Sequence, residues 1–437
     1  MSPSTTSPAA VKSAKSATAA AALRIEPREM LARLIAFDTT SARSNLAAKP
    51  TTAQRFNPKE MLARLIAFDT TSARSNLALI DFVRDYLAAY GIESRLSFDD
   101  SKAKANLYAS LGPTGPGGVV LSGHTDVVPV AGQPWQSDPF TLTERGDRLY
   151  GRGTSDMKGF ISLVLALVPE MLAAGLKQPL HIALSYDEEM GCLGAPRMIA
   201  DIAANLPKPA IVIVGEPTRL KLGNRHKGCY GFQVDIQGRD GHSSATHRGV
   251  NAVSHAAEVI RFLDSIAERH RREGPFDEGF DPPYTTLNVG EIEGGSAVNI
   301  IPRHCRIGWE FRPIPAVEPA GVIAEVESYL AESLSPRLVA RAPEAKVEMR
   351  ADCLVPPLVP RPDSPAAELV RHLTGANEAI GLAFATEAGQ FQEIGIDAIV
   401  CGPGSIEQAH QPDEFIELSQ LAEGEAFLRR LIAWAAT

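Results

Sequence analysis

The chain has 437 residues, 43 Lys+Arg against 52 Asp+Glu (net charge −9), 44% hydrophobic residues and 22% charged ones. At roughly 150 residues per domain this implies two or three domains and a core that stands without covalent staples, while the acidic balance argues against nucleic acid or an anionic membrane as main partner. Five scattered cysteines (Cys192, Cys229, Cys305, Cys353, Cys401) form neither a disulfide framework nor a thiolate zinc site, which suits a reducing, cytoplasmic compartment.

Residues 1–26 are rich in Ser, Thr and Ala, with no acid before Glu26 and no continuous apolar run, so they read as a tail and not as a secretory signal. Residues 27–47 then recur at 58–78 with Arg28/Lys59 as the one difference. Two copies are too few for a solenoid. The second continues into an amphipathic pattern (Leu79, Phe82, Val83, Tyr86, Leu87), the first into Lys49-Pro50-Thr51-Thr52. The second copy is therefore predicted to occupy the fold, and residues 1–57 to be a disordered or loosely docked extension.

From about residue 105 strands alternate with helices: strands over 118–128, 180–186 and 210–214, and a helix over 157–174. Such alternation implies parallel strands joined by crossover helices. From about 228 the order becomes strand (230–237), helix (251–266), strand (285–292), strand (304–312), helix (317–334), strand (346–350), the sequence of a ferredoxin-like unit. After a Pro-rich run over 355–365, a strand at 399–402 returns to the first sheet. The fold class read here is α/β: a larger domain with a mostly parallel central sheet flanked by helices, over 58–226 and 351–437, with a ferredoxin-like α+β domain inserted at 227–350. The longest mostly apolar stretch, 160–168, is short of the roughly 20 residues a membrane span needs.

Several acidic and histidine residues fall where predicted strands end: His124 and Asp126 in Gly-His-Thr-Asp, Asp156 in Gly-Arg-Gly-Thr-Ser-Asp-Met-Lys-Gly, Glu188-Glu189 after Tyr186-Asp187, Glu216 in Gly-Glu-Pro-Thr, and His410 after the last strand. Ligand sites of open α/β sheets lie beyond the carboxyl ends of the strands. Each residue alone has a structural reading: a buried His, a helix N-terminal acid, a solvated acidic pair, a turn acid, a loop His. Jointly, two His and several carboxylates supply the donors that Zn²⁺, Co²⁺ or Mn²⁺ accept. Adjacent carboxylates are costly to ionise without a cation or solvent to offset them. Asp126, two residues after His124, is placed to accept its imidazole N–H.

These motifs, with Gly-His-Ser-Ser at 241–244, resemble the zinc-dependent deacylase and peptidase family that includes acetylornithine deacetylase, succinyl-diaminopimelate desuccinylase and aminoacylase. The likeness runs from about residue 58 to the C-terminus. Residues 402–414, Thr386-Glu387-Ala388, Arg225-His226-Lys227-Gly228 and Tyr284-Thr285-Thr286-Leu287-Asn288 are most similar to its acetylornithine deacetylase members. The resemblance implies two divalent ions, zinc foremost with cobalt or manganese possible. His124, Asp156 and Glu216 would hold one, Asp156, Glu189 and His410 the other, with Asp156 bridging and Glu188 as general acid/base. It implies that His242 reaches the oxyanion, often from the partner subunit of a dimer, and that the inserted domain acts as a lid and dimerisation domain. It further implies that Asn299 and Arg312 bind the substrate α-carboxylate and that Glu387 faces the distal ammonium of ornithine. The implied reaction removes acetyl from N-acetyl-L-ornithine, giving ornithine and acetate for arginine biosynthesis, in a cytoplasmic homodimer. The alternatives are the same chemistry on another N-acyl amino acid or a dipeptide, or a non-catalytic dimeric binding module. Gly151-Arg152-Gly153 lacks phosphate-loop spacing, Gly-x-Ser-x-Gly is absent, and the basic stretch 269–272 reads as a solvated helix end.

Overall fold

The computed structural model describes residues 54–437; the first copy of the repeat and most of the expected extension lie outside the described residues. The second copy forms the helix Pro58–Ile66. Asn57 caps it: its side chain accepts from the Glu60 N–H at 2.9 Å while the Glu60 carboxylate accepts from the Asn57 N–H at 3.0 Å, a reciprocal capping box. Met61, Leu62, Leu65 and Ile66 on one face are fully buried, and the helix packs on Lys158–Ala166. The next helix, Leu77–Ala89, buries all five residues of the predicted amphipathic pattern.

The main sheet has eight strands in the order Ser94–Phe98, Ala105–Leu111, Leu180–Ser185, Val119–His124, Ile211–Pro217, Asp397–Gly402, Leu222–His226, Ala379–Leu382. Its centre is parallel, Val119–His124 pairing with Leu180–Ser185 and Ile211–Pro217, and Ile211–Pro217 with Asp397–Gly402. Ser94–Phe98 and Ala105–Leu111 pair antiparallel at one edge. Every residue of the four central strands is buried, as expected where helices cover both faces. One face carries Pro58–Ile66, Leu77–Ala89, Lys158–Ala166, Pro365–Thr374 and Leu418–Ala435; the other carries Ala195–Asn205 and Ala388–Glu393.

A second sheet runs Thr286–Gly294, His304–Arg312, Cys229–Gln237, Lys346–Val355, antiparallel throughout. The helix Ala252–Glu273 and the helical run from Pro319 to Arg341 bury its one apolar face, which is the ferredoxin-like arrangement. The chain passes between the sheets twice, side by side: His226 bridges Leu358, and Cys229 pairs with Val355.

Two predicted helices are subdivided. The one expected over 157–174 is split into Lys158–Ala166 and Val168–Ala173, because Pro169 has no N–H to continue the ladder. The one expected over 317–334 extends to Arg341 and winds wider over Tyr329–Leu334 just ahead of Pro336. The basic stretch 269–272 is ion-paired on the surface, Arg269 with Glu325 and Arg271 with Glu268. Among the described residues, no helix is long and apolar enough to cross a membrane.

Candidate metal centre

The carboxyl ends of the central strands deliver the site. His124 is the last residue of Val119–His124, Glu188 and Glu189 follow Leu180–Ser185, Glu216 is the penultimate residue of Ile211–Pro217, and Asp156 sits in the turn before Lys158–Ala166. His410 comes from the loop after Asp397–Gly402. It holds a φ of 63°, in the left-handed region that non-glycine residues seldom enter.

The six side chains converge. His124 Nε2 lies 2.9 Å from Asp156 Oδ1, 3.6 Å from Glu216 Oε1 and 3.9 Å from Glu188 Oε2. His410 Nε2 lies 3.0 Å from Glu189 Oε2 and 3.5 Å from Asp156 Oδ2. Asp156 thus offers one carboxylate oxygen to each imidazole. Donor atoms of His124, Asp156 and Glu189 fall within 4.8 Å of one another, as do those of His124, Glu188 and Glu216.

Electrostatics shows which ligands the cluster suits. Burial pushes Glu188 and Glu216 well above the ordinary carboxylate range, and neighbouring carboxylates add to it. Burial and Asp156 push Glu189 to about 7. Burial would also raise Asp156, but hydrogen bonds from His124 and His410 override it and hold the group low. In return, hydrogen bonds to Asp156 and Glu189 raise His410 to about 10. Four crowded carboxylates against two imidazoles form an anionic pocket of N and O donors, and divalent cations fit that donor set.

Supporting contacts differ in one respect from the sequence reading. His124 Nδ1 lies 3.0 Å from the backbone carbonyl of Asp126, while the Asp126 carboxylate is 3.6 Å away. That carboxylate instead accepts from Ser72 Oγ at 2.8 Å and from the N–H groups of Glu188 and Glu189 at 3.1 and 3.2 Å. Asp126 orients His124 through its main chain and pins the Glu188-Glu189 loop with its side chain. The Asp126 carboxylate also stays within ion-pair distance of the ring nitrogen.

Two further residues escaped the sequence reading. Glu414, fully buried, accepts from the N–H groups of Gly153, Ser155 and Asp156 at 2.9, 2.8 and 3.1 Å and from Arg152 Nη1 at 2.8 Å. Arg152 also donates to the Gln411 carbonyl at 3.2 Å and to Gln133, whose amide donates to the His410 carbonyl at 2.9 Å. This network ties the Asp156 turn to the His410 loop. Its only sequence signal was a Glu inside the motif at 402–414 and an Arg inside the motif at 151–159.

The centre opens into a cavity of about 160 Å³ lined by Asp156, Glu188, Glu189, Glu216, His410 and, from the second sheet, Arg312. That is smaller than the roughly 300–1,000 Å³ of sites for drug-sized ligands. Arg312 is held by Glu310 at 2.9 and 3.2 Å. His242 and Asn299 are exposed on the second domain and do not line the cavity. Glu387 is 1% exposed and is not among the residues that line the cavity, although the nearby Phe384 and Ala385 are. Its Oε2 accepts from Ser122 Oγ at 2.9 Å.

Comparison with known proteins places the chain in a family. Residues 120–434 match the model of peptidase family M20/M25/M40. The chain is 40% identical over 413 residues to an acetylornithine deacetylase of Myxococcus xanthus, covering 93% of this chain and 96% of that one. A metallo-carboxypeptidase of the M20 family from Sulfolobus solfataricus shares the fold with a TM-score of 0.69 at 18% identity, over 87% of this chain and 99% of its own. A dinuclear metal-binding peptidase of the M20 family from Bacillus subtilis does so with a TM-score of 0.56 at 15% identity, over 86% and 98%.

Proposed function

The chain belongs to peptidase family M20/M25/M40 and is a metal-dependent amide hydrolase, and from that premise we propose that it removes the acetyl group from N-acetyl-L-ornithine, giving L-ornithine and acetate as a step of arginine biosynthesis. The observation that carries the reading is Asp156, whose two carboxylate oxygens face His124 and His410 separately. It is the arrangement a bridging ligand needs. His124, Asp156 and Glu216 would hold one divalent ion and Asp156, Glu189 and His410 the other, with zinc our first choice and cobalt or manganese accepted by the same donors.

When bound, such a pair would lower the pKa of a water towards neutrality and polarise the amide carbonyl. The protein's own groups do the rest. Glu188 takes the water's proton on a carboxylate oxygen and delivers it to the departing amine nitrogen. Arg312 receives the substrate α-carboxylate through its guanidinium fork, and the surrounding carboxylates repel anions that Arg312 does not anchor.

We place the reaction in a cytoplasmic homodimer. His242 pairs with Ile300 in a short strand contact, and Ile292, Val298 and Ile300 of the second domain are exposed apolar residues. A second copy covering those residues would bring His242 and Asn299 towards the partner's cavity. Kinetics of metal-reconstituted enzyme on N-acetyl-L-ornithine, N-succinyl-diaminopimelate, other N-acyl amino acids and dipeptides test the assignment. The highest kcat/KM belongs to N-acetyl-L-ornithine; a dipeptide or succinyl compound that outruns it overturns the substrate. Turnover that survives exhaustive metal removal overturns the metal centre.

A further inference from the structure

Cys229 opens the first strand of the second sheet and Cys353 lies near the end of its last. Val355 stands opposite Cys229, and Cys353 opposite Gly231, so the cysteines are diagonal neighbours on one face of adjacent antiparallel strands. Their sulfurs are 3.8 Å apart. Cys229 lines the cavity beside Arg312, and Cys353 lines the adjoining cleft with Gly191, Leu193 and Leu354. Both are half-buried, whereas Cys192, Cys305 and Cys401 are buried. The reaction described above makes no use of this pair.

We propose that Cys229 and Cys353 form a thiol–disulfide exchange site, open to small disulfide oxidants from the cleft, whose oxidation weakens substrate capture at Arg312. A disulfide has an S–S length of about 2.05 Å; closing the present gap requires the sulfurs to approach by about 1.7 Å, through χ1 rotation together with a local backbone shift beside the register irregularity at Ala351/Cys353. Cys353 Sγ, as thiolate, attacks one sulfur of a low-molecular-weight disulfide, forming a mixed disulfide and releasing one reagent thiolate. Cys229 Sγ, its proton lost to solvent, then attacks Cys353 Sγ and releases the second. Two cysteine thiols are oxidised, one external disulfide is reduced to two thiols, and the two protons end on the released thiolates.

The order of attack follows from the surroundings. The hydrogen bond from Cys229, with help from the Gly231 N–H, lowers Cys353 against the effect of burial, which favours its thiolate, the attacking form. The same contact and burial push Cys229 up. The link to substrate runs through Glu310, whose Oε2 is 3.8 Å from Cys229 Sγ and whose carboxylate holds Arg312. Drawing Cys229 towards Cys353 changes the support of that guanidinium. This last link rests on the role given to Arg312 above; the exchange chemistry does not.

The test uses the metal-loaded full chain treated with oxidised glutathione and read by intact mass and peptide mapping. The expected product has lost two hydrogens, yields a Cys229–Cys353 cross-linked peptide and reverts with dithiothreitol. Phenylarsine oxide, which bridges paired thiols, is captured by the reduced protein but not by Cys353→Ser or Cys229→Ser. Cross-linking raises KM roughly three- to tenfold with little change in kcat, the signature of lost ground-state binding, while Cys353→Ser keeps the reduced enzyme's KM and ignores the oxidant. A persistent mixed disulfide, oxidation confined to the other cysteines, or no arsenical capture overturns the exchange site. A cross-linked enzyme with unchanged KM overturns the coupling to Arg312. Failure of the substrate assignment shows in the reduced enzyme's substrate panel and leaves the mass readout untouched.

Discussion

Glu188 is the one carboxylate of the cluster left without a metal in the proposed division, and its near neighbours are the Cys192 thiol, which donates to Oε1 at 3.4 Å, and His124. Glu188→Ala removes no ligand in that scheme. It should keep metal content by elemental analysis while losing about 10²- to 10⁴-fold in kcat, the usual worth of a placed proton carrier. The histidines carry a pH consequence. In the metal-free protein His410 is raised to about 10, so it is protonated at neutral pH, and a ligating imidazole must be deprotonated. Metal binding therefore releases protons, and affinity falls as pH falls. Titration calorimetry at pH 7 in buffers of different ionisation enthalpy should give heats that vary with the buffer; a buffer-independent heat would contradict the assignment of His410. The residues of this cluster were legible because each stands in a short motif, His124, Glu188, Glu189 and Glu216 at or just past the ends of strands. The role of the Asp126 carboxylate was not legible, since Ser72 and the N–H groups of Glu188 and Glu189 reach it from more than fifty positions away in sequence.

At the scale of elements, the Arg152–Glu414 pair joins two loops that carry different ligands. Both side chains are 1% exposed, so removing one leaves the other a buried charge without its partner, a loss of about 3–5 kcal/mol. Arg152→Met should lower unfolding stability by that order in denaturant titration and reduce metal occupancy, because the Asp156 turn and the His410 loop lose their common anchor. A variant as stable and as fully loaded as the parent would show that the loops hold themselves. The central strands were readable as buried apolar runs between turn residues. Leu222–His226 and Ala379–Leu382 were not: neither alternates, and what makes them strands is their parallel pairing with each other across more than 150 positions. The helix break at Pro169 was encoded in plain sight, whereas the widened turn before Pro336 became visible only with the helix end at Arg341.

At the scale of the whole molecule, the first sheet has a hydrophobic core on each face and the second sheet has its own on one face, and the cavity is lined by residues from the carboxyl ends of the first sheet and by Arg312 of the second. The order of strands and helices after residue 228 carried the second sheet's core in the sequence. Helix Pro58–Ile66 fills its place in the first core completely, with Met61, Leu62, Leu65 and Ile66 all at 0% exposure, so a second copy of the same segment has no vacancy there. Deleting residues 27–47 should leave the melting temperature within a degree or two and kcat/KM unchanged, read by calorimetry and a deacetylation assay; a marked loss of either would assign the first copy a part in the fold. The two sheets are joined by a pair of neighbouring crossings, where His226 bridges Leu358 and Cys229 faces Val355. Exit and re-entry at adjacent points make the inserted unit a cassette: it can be lifted out between those crossings and the ends sealed by a tight turn, or exchanged for the equivalent part of a relative, without disturbing the register of any strand that bears His124, Glu216 or the Glu188-Glu189 pair.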